Sequence, residues 1–183
     1  MMSREEALAL VRANVQKENN VKHMIAVGAA MKGLASRLGE DQGLWEDVGI
    51  LHDIDFEKCH GAEDHTLVAK DMLDGKVSAE VIEAILAHNS EHTHVPVDTK
   101  LKKGLVCCDA ASGLVIATAL VLPTKKLADV KPSSIAKRFK EKDFARSVSR
   151  ERIMVCTELG IPLEEFLAVA LEGMKGAAVE LGL

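Results

Sequence analysis

Four residues that lie far apart in the chain could together bind a metal ion: His23, the adjacent pair His52 and Asp53, and Asp109. Each is predicted on the apolar face of a helix, where an imidazole or a carboxylate loses its hydration unless a partner compensates it. Imidazole nitrogens and carboxylate oxygens are good ligands for divalent cations, and the charge of the cation offsets the burial of the acids. The pattern therefore favours a metal site, provided that the four positions converge in the fold.

Each of these residues also has an ordinary explanation when it is taken alone. His23 lies at helical spacing from Val27 and Leu34, and a histidine on such a stripe is more often a hydrogen-bonded core residue than a ligand. Asp109 could make a helix-packing hydrogen bond or ion pair, and a His–Asp doublet is common by chance. The hypothesis of a metal site therefore depends on the set and its order, not on any single member.

The composition predicts the helices that must carry these residues. Apolar residues make up 48% of the 183 positions and aromatic residues 3%, with no tyrosine, which favours helices over a β-sandwich. No stretch alternates long enough between polar and apolar residues to predict a strand. We therefore predict an all-α fold, a single-domain helical bundle over residues 1–183 with about eight or nine helices and no significant sheet.

Capping residues, glycines and prolines give the predicted helix ends. Ser3 with Glu6 predicts a capping box for the first helix, and Asn19 with Asn20 predicts the start of the second, over 21–37. The other predicted helices are 41–53, 62–73, 78–88, 98–122, 133–140, 149–159 and 162–183. The apolar helix 98–122 carries Asp109 in its first half, where a carboxylate would be costly in lipid. We predict a core helix there, not a membrane span.

The ordered pattern His, then His-Asp, then Asp, each on a separate apolar helix, resembles the HD superfamily of metal-dependent phosphohydrolases, which is named for the doublet. In its two-metal members, further histidines come from the two helices between the doublet and the final Asp. His65 and His88 occupy those places in this chain. The resemblance covers about residues 20–115, and it implies an HD-type metal-binding core over that range.

The resemblance also implies a ligand set. A first ion would be held by His23, His52, Asp53 and Asp109, and Asp53 would bridge to a second ion held by His65 and His88. The ion would be divalent, with one or two per chain, and the residue types do not distinguish Fe, Mn, Ni, Co, Zn and Mg. His52 and Asp53 are the implied catalytic pair. His60, His92 and His94 fall in polar loops, and His92 is the reserve candidate among them.

The net charge of −5 is unevenly distributed along the chain. Residues 123–152 contain ten Lys or Arg and four acids, which gives +6 and leaves −11 on the rest. This basic segment opens a C-terminal helical extension, 123–183, outside the general HD pattern. The extension looks like that of small bacterial HD proteins, which are predicted hydrolases with unassigned substrates. The candidate phosphate clamp consists of Lys131, Lys137, Arg138 and Arg146, and a solvated charged face is the alternative.

One departure from the family pattern concerns the residues after the doublet. Many two-metal members continue it as Asp-Ile-Gly-Lys, with the lysine near the substrate phosphate, whereas this chain places Lys58 two positions later. Lys58 is therefore a further candidate for substrate binding. Asp55 and Glu57, which stand between, either orient the ligating histidines or are ordinary surface charges.

We expect from these features a metal-dependent phosphohydrolase that acts on a nucleotide or another small phosphorylated molecule. A di-iron oxygenase with the same ligands, a non-catalytic nucleotide-sensing module and a purely structural helical protein remain alternatives. No P-loop, GxSxG or GxGxxG motif competes. The acidic net charge argues against nucleic acid as a partner. Four cysteines without CxxC spacing and no secretory signal predict a cytoplasmic location without a membrane partner.

Overall fold

The computed structural model describes residues 2–183, and over this range the chain forms eleven α-helices and no β-strand. The prediction of an all-α protein is confirmed, and the packing is compatible with a single helical domain. In chain order the helices are α1 (Arg4–Asn14), α2 (Glu18–Leu38), α3 (Gln42–Leu51), α4 (Leu67–Leu73), α5 (Ala79–His88), α6 (Ser90–Thr93), α7 (Lys100–Leu120), α8 (Pro132–Lys140), α9 (Arg150–Met154), α10 (Leu163–Lys175) and α11 (Ala178–Leu181).

The helix count exceeds the predicted eight or nine because two short helices, α6 and α11, are separate elements. The helix predicted over 149–159 consists of α9 followed by a 3₁₀ turn, Val155–Leu159. The helix predicted over 162–183 is divided into α10 and α11 near Gly176, because glycine stabilises a helix poorly. The fourth helix begins at Leu67 instead of residue 62, since Thr66 before it has a φ of +69°, outside the helical region.

The contact between α2 and α3 brings two of the candidate ligands together. A Cβ atom added to Gly49 would lie 2.6 Å from the Cα of Gly28, so the two helix backbones pack directly against each other. The two helices form an antiparallel pair joined by a short turn, in which Gly39 adopts a left-handed conformation. As a result His23, near the start of α2, lies beside His52, which follows the end of α3.

The observed helix starts agree with the prediction at α1 and differ from it at α2. Ser3 and Glu6 form the predicted capping box. The side chains of Asn19 and Asn20 do not cap α2, which begins one residue after Lys17 without a side-chain cap. The carboxylate of Glu57, about 40 positions further along the chain, accepts the backbone N–H groups of the residues just before α2.

Helix α7 lies at the centre of the protein and carries Asp109. By length and composition alone it could cross a membrane, but most of it is buried inside the fold, as predicted for a core helix. It packs against α2, α5, α9 and α10. Helix α10 also packs on α2, so the C-terminal extension covers the helices that carry the candidate ligands.

Candidate metal centre

The structure brings all six predicted ligands together from five parts of the chain. His23 lies on α2, His52 and Asp53 follow α3, and His88 is the last residue of α5. His65 precedes α4, and Asp109 lies on α7. Every one of these side chains is at least 70% buried. The convergence on which the hypothesis of a metal site depends is therefore present.

The first group consists of His23, His52 and Asp53, whose ligand atoms all lie within 4.8 Å of one another. His23 Nε2 is 3.6 Å from Asp53 Oδ2, and His52 Nε2 is 3.4 Å from Asp53 Oδ1. Asp109 Oδ1 joins this group at 3.2 Å from His23 Nε2 and 3.9 Å from His52 Nε2. These four residues could hold a metal ion.

A second group, Asp53 with His65 and His88, meets the same 4.8 Å criterion. His65 Nε2 and His88 Nε2 lie 3.4 and 3.6 Å from Asp53 Oδ1. Asp53 belongs to both groups, because its Oδ1 lies near His52 of the first group and near both histidines of the second, while its Oδ2 lies near His23. The arrangement could hold one ion or two, with Asp53 as the shared carboxylate.

The hydrogen bonds of two imidazoles fix which ring nitrogen faces Asp53. His52 Nδ1 donates to the carbonyl oxygen of Gly49 at 2.8 Å, and His65 Nδ1 donates to Asp55 Oδ1 at 3.0 Å. A carbonyl or carboxylate oxygen only accepts, so in each neutral ring Nε2 carries a lone pair. Both lone pairs point towards Asp53 Oδ1, which is itself an acceptor.

This convergence of acceptors leaves buried atoms without partners. His52 Nε2 and Asp53 Oδ1 are both inaccessible to water and have no hydrogen-bond partner within the described residues. An unpartnered buried polar atom costs about 1–3 kcal/mol. A cation among these atoms would satisfy all of them at once, so the residues fit a metal ion.

The electrostatics keep several of the ligands in the form that binds metal. Burial, helped by the nearby His23, lowers the pKa of His52 to about 4, and burial likewise lowers the pKa of His88 to about 4. Both rings are therefore neutral at pH 7, as ligation requires. Burial would raise the pKa of Asp109, but His23, His88 and His52 outweigh it and lower that pKa far below its usual value.

Asp53 and His23 depend on each other electrostatically. Burial raises the pKa of the Asp53 carboxyl above its ordinary value, even though His88 and His23 oppose the shift. For His23, burial would lower the pKa, but the hydrogen bond and charge of Asp109 together with the charge of Asp53 raise it. In the metal-free protein, protons on Asp53 and His23 therefore replace part of the positive charge that a metal ion would supply.

Asp55, which the sequence left as either a positioning residue or surface charge, is fully buried and fixes His65. Its second oxygen accepts the backbone N–H groups of Thr66 and Ala69 at 2.7 and 3.0 Å. Thr66 is held by this bond in the left-handed region, with a φ of +69°, which costs about 1–3 kcal/mol for a non-glycine residue. The hydrogen bonds of Glu57 go to Gln16, Lys17 and Asn20, so Glu57 stabilises the connection between α1 and α2.

Arg152 on α9 is a cation at the candidate centre that the sequence did not single out. Its Nη2 lies 3.0 Å from His88 Nδ1 and 3.3 Å from Asp109 Oδ2, and both Nη atoms lie 3.3 Å from the His88 carbonyl oxygen. A guanidinium only donates, so His88 Nδ1 accepts and the proton of the neutral ring lies on Nε2. For His88 to ligate through Nε2, Arg152 must release Nδ1.

The five residues predicted to bind substrate lie away from the six ligands. Lys58 donates to Asn14, and Arg138 pairs with Glu141 and covers the Phe144 ring. The remaining three, Lys131, Lys137 and Arg146, are exposed, and Arg146 pairs with Asp143. None of the five makes a hydrogen bond or ion pair with a candidate ligand. Their role in substrate binding stays a prediction.

The other histidines also lie outside the centre. His60, His92 and His94 are exposed, and neither ligand group includes them. A cavity of about 740 Å³ lies near the N-terminal end of α3, and its lining contains Asp47 and Glu80 but no candidate ligand.

The position of Arg152 had no local signal in the sequence, because it is 64 residues from His88 and 43 from Asp109.

Comparison with known proteins adds no family assignment: no protein-family model, no curated protein and no solved structure matches this chain. The geometry itself supports one chemical statement. The buried histidines and aspartates could hold a metal ion, with Asp53 at the centre of the donor set.

Proposed function

We propose that this protein is a metal-dependent phosphohydrolase of the HD type that acts on a small phosphorylated molecule. The observation that carries the proposal is the environment of Asp53 Oδ1. In their neutral forms, His52 and His65 each direct an Nε2 lone pair at this oxygen, which has no hydrogen-bond partner among residues 2–183. The order of the ligands along the chain and their convergence support the HD resemblance.

In this proposal, four residues would hold the first ion: His23, His52, Asp53 and Asp109. His65 and His88 would hold the second, with Asp53 shared between them. When bound, such ions lower the pKa of a coordinated water from 15.7 towards about 7 and stabilise the charge on phosphoryl oxygens. The ion is one of Fe, Mn, Ni, Co, Zn or Mg.

The residues around the ligands have separate tasks. The Gly49 carbonyl orients His52, and Asp55 orients His65, so each ring presents Nε2 to the centre. Outer hydrogen bonds of this kind set the ring tautomer and raise the basicity of a ligating histidine. Because His52 is completely buried, it is also shielded from competing water.

Arg152 is the group that we assign to the substrate phosphate. Its side chain is 36% exposed while its guanidinium touches Asp109, so it can reach both the centre and a molecule that enters from solvent. A guanidinium matches two phosphoryl oxygens with parallel N–H donors. When Arg152 turns to a substrate it also leaves His88 Nδ1, which frees His88 to present Nε2.

We further propose that the protein works in the cytoplasm. The four cysteines support this, because all of them are free thiols and three are buried in the core. Reduced cysteines of this kind are typical of a reducing compartment.

An activity assay with added metals tests the proposed function. Metal-depleted protein is incubated with small phosphate monoesters and diesters while Mn, Fe, Ni, Co, Zn and Mg are added singly. We expect hydrolysis with at least one metal, measured as phosphate release from monoesters and as alcohol release from diesters, its loss in His52→Ala, and its retention in the matched control His92→Ala. Hydrolysis in none of the combinations would overturn the proposal, and an iron-dependent consumption of oxygen would favour the oxygenase instead.

A further inference from the structure

A cavity of about 400 Å³ adjoins the candidate metal centre on the side of His23. Its volume is within the range of small-molecule pockets, about 300–1,000 Å³. The cavity lies among the start of α2, the second half of α7 and the residues of α11. Its lining consists of Asn19, Lys22, His23, Ile116, Leu120, Leu181, Gly182 and Leu183.

His23 belongs to both the cavity lining and the candidate metal centre. The side chain of His23 is 30% exposed, while its Nε2 lies 3.2 Å from Asp109 Oδ1. Along α7, Ile116 and Leu120 follow Asp109 at spacings of seven and eleven residues, which places them on the same helix face. At 1.5 Å per residue, this face extends about 16 Å from the carboxylate to Leu120.

The lining determines which organic group the cavity can accept. The side chains of Ile116, Leu120, Leu181 and Leu183 are aliphatic, and Leu120 remains 49% exposed. A nucleotide base and ribose require several fixed donors and acceptors. Apart from His23, the polar side chains in the lining are Asn19 and Lys22. The ammonium of Lys22 lies beside Gly182, on the C-terminal side of the cavity.

We infer that this cavity holds the apolar organic group of the substrate, so that the substrate class is a phosphate ester of an aliphatic or aromatic alcohol. The inference rests on the proposed phosphohydrolase function and narrows it. The phosphate lies at the centre, within reach of Arg152. The organic group runs from His23 along α7 towards Leu120.

A binding experiment tests the inference without depending on turnover. Methyl-, butyl- and hexylphosphonate, which are not hydrolysed, are titrated calorimetrically into the full chain, both loaded with Mn²⁺ and depleted of metal. Burial of one methylene contributes about 0.8 kcal/mol, which corresponds to about a fourfold change in affinity. We therefore expect the dissociation constant to fall by about threefold to fourfold for each added methylene until the cavity is filled.

Two neighbouring residues at the end of α7 provide a matched pair of variants. Leu120 lines the cavity, whereas Val121, which is 54% exposed, does not. We expect Leu120→Ser to reduce the ratio of hexyl to methyl affinity by at least about fourfold, since it removes more than one buried methylene equivalent. We expect Val121→Ser to leave this ratio unchanged. Both positions tolerate a polar side chain because they face water.

The outcomes separate the inference from the function on which it rests. Equal affinities for methyl- and hexylphosphonate would overturn the cavity assignment, even if short phosphate esters are hydrolysed. An equal loss of the ratio in Leu120→Ser and Val121→Ser would overturn it as well. An affinity that rises with chain length and depends on Leu120 supports the cavity assignment. If such binding is found but no ester is hydrolysed, the absence of hydrolysis refutes the phosphohydrolase function and not the cavity assignment.

Discussion

Asp53 and Asp55 stand two positions apart on the same turn after α3, and the fold treats their carboxylates in opposite ways. Asp55 is fully buried, and it accepts two backbone N–H groups and the ring N–H of His65. Asp53 is nearly as buried, with 13% of its side chain exposed, yet its Oδ1 has no donor among the described residues. The turn after α3 therefore supplies hydrogen-bond donors to the carboxylate of Asp55 but not to Oδ1 of Asp53.

The difference indicates which carboxylate supports the structure and which faces a ligand. Donors around Asp55 come from the backbone of the turn before α4 and hold that turn in place. Two of the nitrogens beside Asp53 Oδ1, Nε2 of neutral His52 and Nε2 of neutral His65, present lone pairs instead of donors. Repulsion among such acceptors is relieved by a cation, whether a metal ion or a proton.

The largest expected effect is on stability at Asp55. Asp55→Ala leaves the buried N–H groups of Thr66 and Ala69 without an acceptor, which should cost about 3–4 kcal/mol of unfolding free energy. Glu57→Ala is the matched control, because Glu57 also accepts two backbone N–H groups but does so in water. Urea denaturation of both variants should give a clearly smaller loss for Glu57→Ala. Similar losses would contradict the assignment of Asp55 as a buried structural acceptor.

A smaller effect with the opposite sign is expected at Asp53. In metal-free protein, Asp53→Asn places an N–H donor where two imidazole lone pairs converge, so it should stabilise the fold by about 1 kcal/mol. The same substitution should remove metal binding, because a bridging carboxylate is lost. The measurement is urea denaturation in the presence of a chelator. Destabilisation by more than about 1 kcal/mol, a typical value for a lost hydrogen bond, would show that Asp53 already has its partner within the protein.

The smallest effect on stability is expected at a third buried acid, Asp47 on α3. Asp47 is 5% exposed, and burial together with the charge of Glu46 raises its pKa to about 6. The pKa of Asp47 in the unfolded chain is about 3.9. Burying this carboxyl therefore does not destabilise the fold near pH 4. The loss of unfolding free energy grows as the pH rises to 6 and is constant above pH 6. Asp47→Asn should match the wild type at pH 4 and be more stable by about 1 kcal/mol at pH 7. This is less than the roughly 3 kcal/mol that two pKa units represent, because Asp47 lines a cavity that is open to solvent, which screens its charge. An unchanged difference between the two pH values would contradict the raised pKa.

The sequence was sufficient for the parts of the molecule that depend on residue type and local periodicity. Apolar faces and caps predicted the helical fold. The order of His23, His52, Asp53 and Asp109 along the chain predicted four residues of the centre, and the resemblance to the HD superfamily added His65 and His88. The long-range contacts were not predictable. Glu57 stabilises the start of α2 from 40 residues away, and Arg152 reaches the centre only because α9 packs on α7. The turn at Thr66 depends on a carboxylate eleven residues earlier.

Metal content measured on the purified protein tests the central claim most directly. The wild type and His92→Ala are dialysed against Mn²⁺ and then against buffer, and bound metal is measured by mass spectrometry beside Asp53→Asn. We expect about one to two equivalents per chain in the first two proteins, in keeping with one or two ions at a shared carboxylate, and none in Asp53→Asn. Equal metal content in all three proteins, or no stoichiometric metal in any of them, would contradict a cation site centred on Asp53.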